Sequence, residues 1–440
     1  MSQRSEGRVT KTGGREATKG VIPGRFALSV GNPDTPVPDG WSWTPLGTLA
    51  RLETGHTPSR KHPEFWGGEI PWIGIKDVTP NYGRTLTETQ EYATQLGIDN
   101  SSARVLPAGT VCLSRTASVG YVVVMGVPMA TSQDFVNWVC SPELNHRYLK
   151  YVLMAERSSY LRFASGTTHQ TIYLPEVKAF HILRPPIEVQ RKIAAVLAAC
   201  DELIDNNLRR IQILEEMAQA VYREWFVIFR FPGHEDIALV DSPLGPIPEG
   251  WSESTVGEAA TNFDRLRKPL SKMQRAEMQG EYPYYGAAKV FDYVDDYIFD
   301  GEYLLVAEDG SVVTPEGYPV LQLACGKFWA NNHTHILQGS LVSTHHLYLA
   351  LSRVQIMGYV TGAAQPKITQ GALNRVPLVV PPQLIRVGFD ELIKPMFDLR
   401  QNLLEQNANL RATRDLLLPK LVSGEIDVSE MEIDTEWLAS

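Results

Sequence analysis

The chain is written twice, and no other feature restricts its fold so strongly. Pro36-Val37-Pro38-Asp39-Gly40-Trp41-Ser42 returns as Pro246-Ile247-Pro248-Glu249-Gly250-Trp251-Ser252, an offset of 210 residues. Further along, Gly166, Ile172, Val177, Ile182, Pro185 and Pro186 return as Gly362, Ile368, Leu373, Leu378, Pro381 and Pro382, an offset of 196. Each copy runs from a Pro-acid-Gly-Trp entry to a Pro-Pro step and then a long helical stretch. Repeats of about 20 to 50 residues build solenoids, so a period this long means duplicated domains.

At 440 residues, two domains plus connectors is the natural count. A content of 43% hydrophobic and 21% charged residues is that of a soluble globular protein. No apolar run approaches the roughly 18 to 20 residues of a membrane span, and the N-terminus lacks a signal peptide's apolar core. Cys112, Cys140, Cys200 and Cys325 lie far apart, which fits reduced thiols in a cytoplasmic protein and speaks against a zinc site.

The net charge of −9 argues against nucleic acid until its distribution is read. Gly317 to Phe389 contains no Asp or Glu but carries Lys327, Arg353, Lys367, Arg375 and Arg386. Ser101 to Gln133 is likewise free of acids and holds Arg104 and Arg115. Arg265, Arg267, Lys268, Lys272 and Arg275 cluster, while eight acids gather between Glu281 and Asp309 and six between Glu425 and Glu436. Charges beyond a Debye length of about 8 to 10 Å are screened, so an acidic chain can still offer basic faces to phosphate. Two like halves offer two like surfaces, and duplex DNA is the partner with the matching repetition.

Residues 1–35 read as a flexible, mildly basic arm, with Val21 to Val30 able to dock on a neighbour. The first mixed domain covers 36–186. Its β-like runs Thr110 to Leu113 and Tyr121 to Met125 alternate with turns, and Arg147 to Phe163 is expected to be helical. Residues 187–230 form a long helix, and 231–250, with four prolines, an extended linker. The second mixed domain covers 251–382, with a strand at Tyr303 to Ala307 and a helix at Leu347 to Met357. A second long helix spans 383–424, and an acidic tail 425–440. The fold class is α+β.

The long helices carry the clearest periodicity. Ile193, Leu197, Cys200, Ile204, Leu208, Ile211, Leu214, Ala218, Val221 and Trp225 recur at steps of three and four. Phe389, Leu392, Met396, Leu399, Leu403, Leu410 and Leu417 do the same, with Gln406 and Thr413 filling the remaining seam. One apolar stripe apiece is a coiled-coil pattern. A helix of about 35 to 40 residues spans about 55 to 60 Å and must bury that stripe, either on its own domain or on the other helix. Pro395 predicts a bend or interruption in the second.

This order of elements resembles the specificity subunit of type I restriction-modification enzymes. Pro185-Pro186-Ile187-Glu188-Val189-Gln190-Arg191-Lys192-Ile193, Asp205-Asn206-Asn207 and Arg414-Asp415-Leu416-Leu417-Leu418-Pro419-Lys420-Leu421-Val422-Ser423-Gly424-Glu425 carry the resemblance, the last most specifically. It extends from Pro36 to Val428. Val189-Gln190 stands where the family often has Glu-Gln, and Leu384-Ile385 is looser still. The resemblance implies two target-recognition domains related by a pseudo-two-fold, joined by two long helices paired as an antiparallel coiled coil. It also implies a split target in double-stranded DNA, two methyltransferase (modification) subunits that bind S-adenosylmethionine, and restriction subunits that can join them. The chain itself would bind no cofactor and catalyse nothing.

The residues agree on catalysis. Asn32-Pro33-Asp34 lacks the second proline and aromatic of an adenine methyltransferase, no Gly-x-Gly-x-x-Gly occurs, and Gly326-Lys327 is followed by Phe328 where a Walker loop needs Ser or Thr. Glu176-Val177-Lys178 has no upstream partner for a metal nuclease. His333-Thr334-His335 and His345-His346 fit a loop contact or packing better than a metal. Candidate DNA contacts are loop cations and amides. In the first domain they are Arg60, Lys61, Lys76, Arg115, Gln133, His169 and Gln170. In the second they are Arg265, Arg267, Lys268, Lys289, Lys327, His333, Gln365 and Lys367. Trp66, Trp72, Tyr284 and Tyr285 read as core. The competing interpretation is a protein-binding scaffold or phage-exclusion specificity factor without a restriction subunit.

Overall fold

The computed structural model describes residues 20–116, 118–165, 170–362 and 365–436. The first copy supplies β1 (Leu28–Val30), β2 (Ser42–Pro45), β3 (Ala50–Thr54), β4 (Val111–Ser114), β5 (Val122–Met125), β6 (Phe135–Cys140), α1 (His146–Ala155), β7 (Phe180–Arg184) and the 40-residue α2 (Ile187–Phe226). The second supplies β8 (Ser252–Thr255), β9 (Ala260–Asn262), β10 (Phe299–Ala307), β11 (Leu321–Ala330), β12 (Thr334–Gly339), α3 (Thr344–Leu351), β13 (Pro377–Val380) and the 40-residue α4 (Gln383–Val422). The described residues form two compact units, one drawn from Met1–Ile204 with Ala408–Ser440, the other from Asp205–Asn407. Each unit therefore holds part of both long helices. Among the described residues, no helix is long and apolar enough to cross a membrane.

In the first unit a sheet of order β3-β6-β4-β5, extended by Thr85–Leu86, forms the centre. Every residue of β4 and β5 is buried, which is why both read as continuous apolar runs without alternation. Val111, Leu113, Val122, Val124 and Trp138 pack with Tyr148, Leu149, Val152 and Leu153 of α1, while Cys112, Val123 and Phe135 face a second cluster with Ile73 and Met125. The Asn145 side chain accepts from the amides of Arg147 and Tyr148 at 2.9 and 3.0 Å and starts α1. A second sheet, of order β2-β7-β1 with Ile22–Pro23, closes the unit.

Pro185-Pro186 ends β7, and α2 begins at the next residue, since proline fits a helix start but not a continuing ladder. The fully buried Gln190 locks that start: its amide donates to Pro185 and Glu143 carbonyls at 3.0 and 3.1 Å and accepts from Asn145 at 2.9 Å. Ile193 and Leu197 of α2 share one core with Leu418, Leu421 and Val422 of α4. Asp201 ties them, accepting from Arg414 (2.8 Å), Lys150 (3.1 Å) and Tyr151 (2.7 Å). Burial pushes the Asp201 carboxyl up, but Lys150, Arg414 and the Tyr151 hydroxyl outweigh it and hold it below its ordinary value. Gly424 closes α4 at φ 77°, and a Cβ there would meet Pro38 at 2.6 Å, so both conformation and packing require glycine.

In the second unit the sheet runs β9-β12-β10-β11, followed by Gln279–Tyr285 and Val290–Val294; β8 and β13 form a separate pair. Leu304, Val306 and Leu337 pack with Leu347 and Leu351 of α3 and with Phe389, Ile393 and Phe397 of α4. Here the partners on α2 and α4 run in opposite directions. Asn207 donates to Asn407 at 3.0 Å, Glu215 accepts from Arg400 at 2.5 Å, and the Trp225 ring stands 5.7 Å from Phe389. Asn207 and Asn407 are both buried, and two amides satisfying each other favour one register over slipped alternatives.

Several expectations change. The helix is unbroken at Pro395. Buried Ile393 and Phe397 flank the exposed proline, and their packing holds the turn despite the missing hydrogen bond. The expected α4 seam holds at Phe389 and Leu403, both buried, but part of it lies one residue further on. Leu392 and Leu399 are 43% and 38% exposed and Gln406 and Thr413 face solvent, whereas Ile393, Phe397, Arg400, Asn407 and Arg414 make the contacts. A search for leucines misses the polar members of the seam, which are matched by Glu215, Asn207 and Asp201. The expected helix over Arg147 to Phe163 is α1 and a separate turn at Tyr160–Phe163, and that over Leu347 to Met357 is α3 and a 3₁₀ turn at Ile356–Tyr359. The 231–250 connector holds a 3₁₀ turn at His234–Asp236 and pairs Leu239–Val240 with Ile247–Pro248. Residues 1–19 of the expected arm lie outside the described residues; from Ile22 the chain is folded, and Ala27 and Leu28 are fully buried.

Candidate nucleic-acid interface

In the first unit, loops meet where β4 ends and β6 begins. The Arg115 amide donates to the Asp134 carbonyl at 2.7 Å, and the Arg115 carbonyl accepts from Ile172 at 2.9 Å. The His56 amide donates to Thr131 at 2.9 Å, and the Thr57 hydroxyl donates to the Gln133 side chain. The half-buried Arg115 guanidinium donates to the Gln133 carbonyl at 3.2 Å. Burial lowers its pKa and Asp134 opposes that, but a guanidinium stays charged throughout. Gln133 is exposed beside it, and Gln170, two residues before Ile172, is exposed. Arg115 and Gln133 are thus brought together, with Thr57 and Asp134; His169 lies outside the described residues.

The second unit has the same junction with different chemistry. The Glu308 amide donates to the His333 carbonyl at 2.9 Å, and its carbonyl accepts from Ile368 at 2.9 Å. The Glu308 carboxylate takes Arg267 at 2.6 Å and Lys367 at 3.0 Å. Arg267 also donates to the Thr334 carbonyl at 2.7 Å. His335, on β12, faces Asp264 through Nδ1 at 2.5 Å and the Ile368 carbonyl through Nε2 at 2.8 Å. Burial raises the Asp264 and Glu308 carboxyls, but His335, the Ile336 amide and Arg267 on the first, and Arg267 and Lys367 on the second, bring both below the ordinary carboxylate range. Asp264, Glu308 and His335 approach one another within 4.8 Å, the spacing of a metal site. Arg267 and Lys367, however, already occupy the oxygens of Glu308. His333 is exposed and meets Asp309 at 2.7 Å.

Other candidates stand apart from these junctions. Arg60 lies 3.7 Å from the Trp66 ring and is held by Glu91 at 2.5 and 2.7 Å. Lys327 sits 4.6 Å over Tyr297. Lys61, Lys76, Arg265, Lys268 and Lys289 are exposed and carry no ion pair among the described residues, and Gln365 is exposed. Trp72 and Tyr284 are buried and Trp66 and Tyr285 half-buried. His345 stacks on Phe397 at 4.0 Å. His346 lies among Tyr222, Phe226 and Phe389, its pKa pushed down to about 3 by burial and by Arg386.

Sequence reasoning missed two groups. Asp264 and Glu308, which join His335, escaped because the search sought cations and amides; aligning the copies on their strand ends would have singled out Glu308. Arg157 escaped because nothing local marks it. It lies 4.5 and 4.8 Å from the Tyr82 and Tyr121 rings, with no ion pair among the described residues, in a cleft of about 710 Å³ shared with Arg25 and Arg414.

A sequence family described as "Type I restriction modification DNA specificity domain" matches residues 38–216 and 248–406. The type I restriction enzyme MjaIX specificity subunit of Methanocaldococcus jannaschii is 27% identical over 418 residues, covering 90% of this chain and 95% of that protein. The EcoprrI specificity subunit of Escherichia coli is 21% identical over 389 residues, covering 84% and 91%. The crystal structure of the type I system S subunit from M. genitalium has the same fold, with a TM-score of 0.56 at 16% identity over 89% of this chain and 98% of that one.

Proposed function

Since this chain belongs to the type I restriction-modification DNA specificity family, we propose that each of its two recognition domains, 36–186 and 251–382, reads one half of a split target in duplex DNA. The single observation that carries this reading is the repeated loop junction. Two sheets of common strand order bring the same four segments to the same place, once around Arg115 and once around Glu308 with Arg267 and Lys367. Arginine and lysine there suit phosphate and guanine edges, and Gln133 and Gln170 suit adenine. The exposed Lys61, Lys76, Arg265, Lys268, Lys289, Gln365 and His333 extend the surface, and Arg157 and Arg25 add cations that suit phosphates. Arg60, tied to Glu91, and Lys327, on Tyr297, would contribute less.

In this reading helices 187–230 and 383–424 set the spacer between half-sites about one helical turn, roughly 34 Å, apart. The chain is a cytoplasmic, non-catalytic subunit. It binds no cofactor itself; two methyltransferase subunits dock on the helices and supply S-adenosylmethionine, and restriction subunits complete the complex where present. The test is to express the chain with its methyltransferase subunits and map methylated adenines. A bipartite motif whose spacer shortens when one heptad is deleted from each long helix, with both half-sites unchanged, is the expected result. Altered half-sites with a constant spacer would contradict it.

A further inference from the structure

We infer that Glu308 is a positioning residue that holds Lys367 against DNA phosphate, in the place where the first unit uses Arg115. The inference rests on the DNA-reading function proposed above. Strand register establishes the equivalence. Ser114 on β4 faces Phe135 on β6, and Ala307 on β10 faces Thr334 on β12. Counting along β6 and β12, Cys140 faces Ala50 and Gly339 faces Ala260, so both neighbouring strands agree. The next residue, Arg115 or Glu308, donates its amide to the segment before the following strand and accepts from Ile172 or Ile368. The residue before that isoleucine is Thr171 in one copy and Lys367 in the other.

The charge has therefore moved across one backbone hydrogen bond. In the first unit it stands on the strand end; in the second it stands on the adjoining segment, and an acid occupies the strand end. Alone, that acid would repel phosphate, yet it is paired. Arg267 and Lys367 both reach its carboxylate, while the ring of His335 bridges the Asp264 carboxylate and the Ile368 carbonyl. Arg267 also lies 3.5 Å from Asp264, so the two cations match the two carboxylates and the acid is neutralised. Side chains of Arg267 and Glu308 are 14% and 13% exposed, whereas that of Lys367 is 45% exposed, so Lys367 is the cation of this cluster that reaches the surface. Each Glu308 oxygen has its own task, Oε2 taking Arg267 and Oε1 taking Lys367, which removes freedom that a lysine would otherwise lose on binding. A compact ammonium suits one phosphate oxygen better than a two-pronged base contact.

The experiment uses the complex with its methyltransferase subunits, titrated with target duplex and with unrelated duplex at several salt concentrations. Lys367→Met, a change at an exposed side chain, is expected to weaken binding to both duplexes several-fold and reduce the salt slope by about one phosphate contact. Lys367→Arg should retain the slope. Glu308→Gln should weaken binding in the wild-type background and add nothing to Lys367→Met, since its effect passes through the lysine. An unchanged slope for Lys367→Met, or a full Glu308→Gln effect without Lys367, overturns the inference. In that event a loss of binding in Arg115→Met would leave the DNA-reading function standing, whereas a wild-type complex that binds no duplex removes both.

Discussion

The segments before the two Pro-acid-Gly-Trp entries correspond by the 210-residue offset, yet they fold differently. In the first copy, β1 adds to a sheet, and residues 24–28 wrap the Glu156 carboxylate. The amides of Arg25, Phe26, Ala27 and Leu28 donate to it at 2.6 to 3.3 Å, and the Ser159 hydroxyl at 2.5 Å. Gly24 permits the approach, since a Cβ there would meet the Leu28 carbonyl at 2.0 Å and Glu156 at 2.7 Å. In the second copy Glu156 is replaced by Ser352, which ends α3 as Glu156 ends α1, and Gly24 by His234. The segment there pairs locally with Ile247–Pro248 and leaves Leu239 and Val240 58% and 41% exposed. One buried acceptor and one glycine separate a docked strand from a surface hairpin.

Copying the second arrangement into the first is the severest test. Glu156→Ser leaves four amides without their acceptor and should lower stability by about 4 kcal/mol, with new protease cleavage near residues 22–28. Ser352→Glu should change stability by no more than about 0.5 kcal/mol, because among the described residues no amides converge on the Ser352 side chain. Equal effects in urea unfolding would erase the contrast.

The helix cross-links give the next contrast. Asp201→Asn leaves Lys150, whose side chain is 8% exposed, without its counter-charge, for a loss of about 3 kcal/mol. Glu215→Gln releases Arg400, which is more exposed and can turn to solvent, for a loss of about 1 kcal/mol. Chemical unfolding of the two variants ranks them; a larger loss for Glu215 would reverse the assignment of the buried cross-link.

The smallest effect concerns acid. Folding depresses the Asp264 and Glu308 carboxyls. Their stabilisation is therefore complete above the unfolded carboxylate range, about 4, and is lost as pH falls through the lower folded values. Asp201 behaves likewise in the first unit, so a common decline is expected. Asp264→Asn with Glu308→Gln should flatten only the second unit's share. Unfolding midpoints from pH 6 to 3 check this, and a variant as acid-sensitive as the wild type would show that the clamp contributes nothing.

Duplication, mixed α and β content, and two long helices were legible because they rest on local rules: repeated strings, proline steps, and apolar periodicity. Arg115, Gln133 and Lys367 were legible as cations and amides in turn-rich segments. The meeting of Arg115 with Gln133 in the first unit, and of Lys367 with Glu308 in the second, was not, since each depends on strands that pair residues far apart in sequence, such as Phe135 with Ser114 and Thr334 with Ala307. The polar half of the α4 seam escaped for a related reason, because Arg400 and Asn407 resemble surface residues until Glu215 and Asn207 are placed opposite them.

The sequence by itself determined the twofold plan and the family, because periodicity, turn chemistry and motif strings are encoded by near neighbours in the chain. Only the tertiary structure decided which charges are used. Glu308 becomes a partner of Lys367, and Glu156 an anchor for a strand, when burial strips water from a carboxylate and leaves amides and cations as its sole acceptable company.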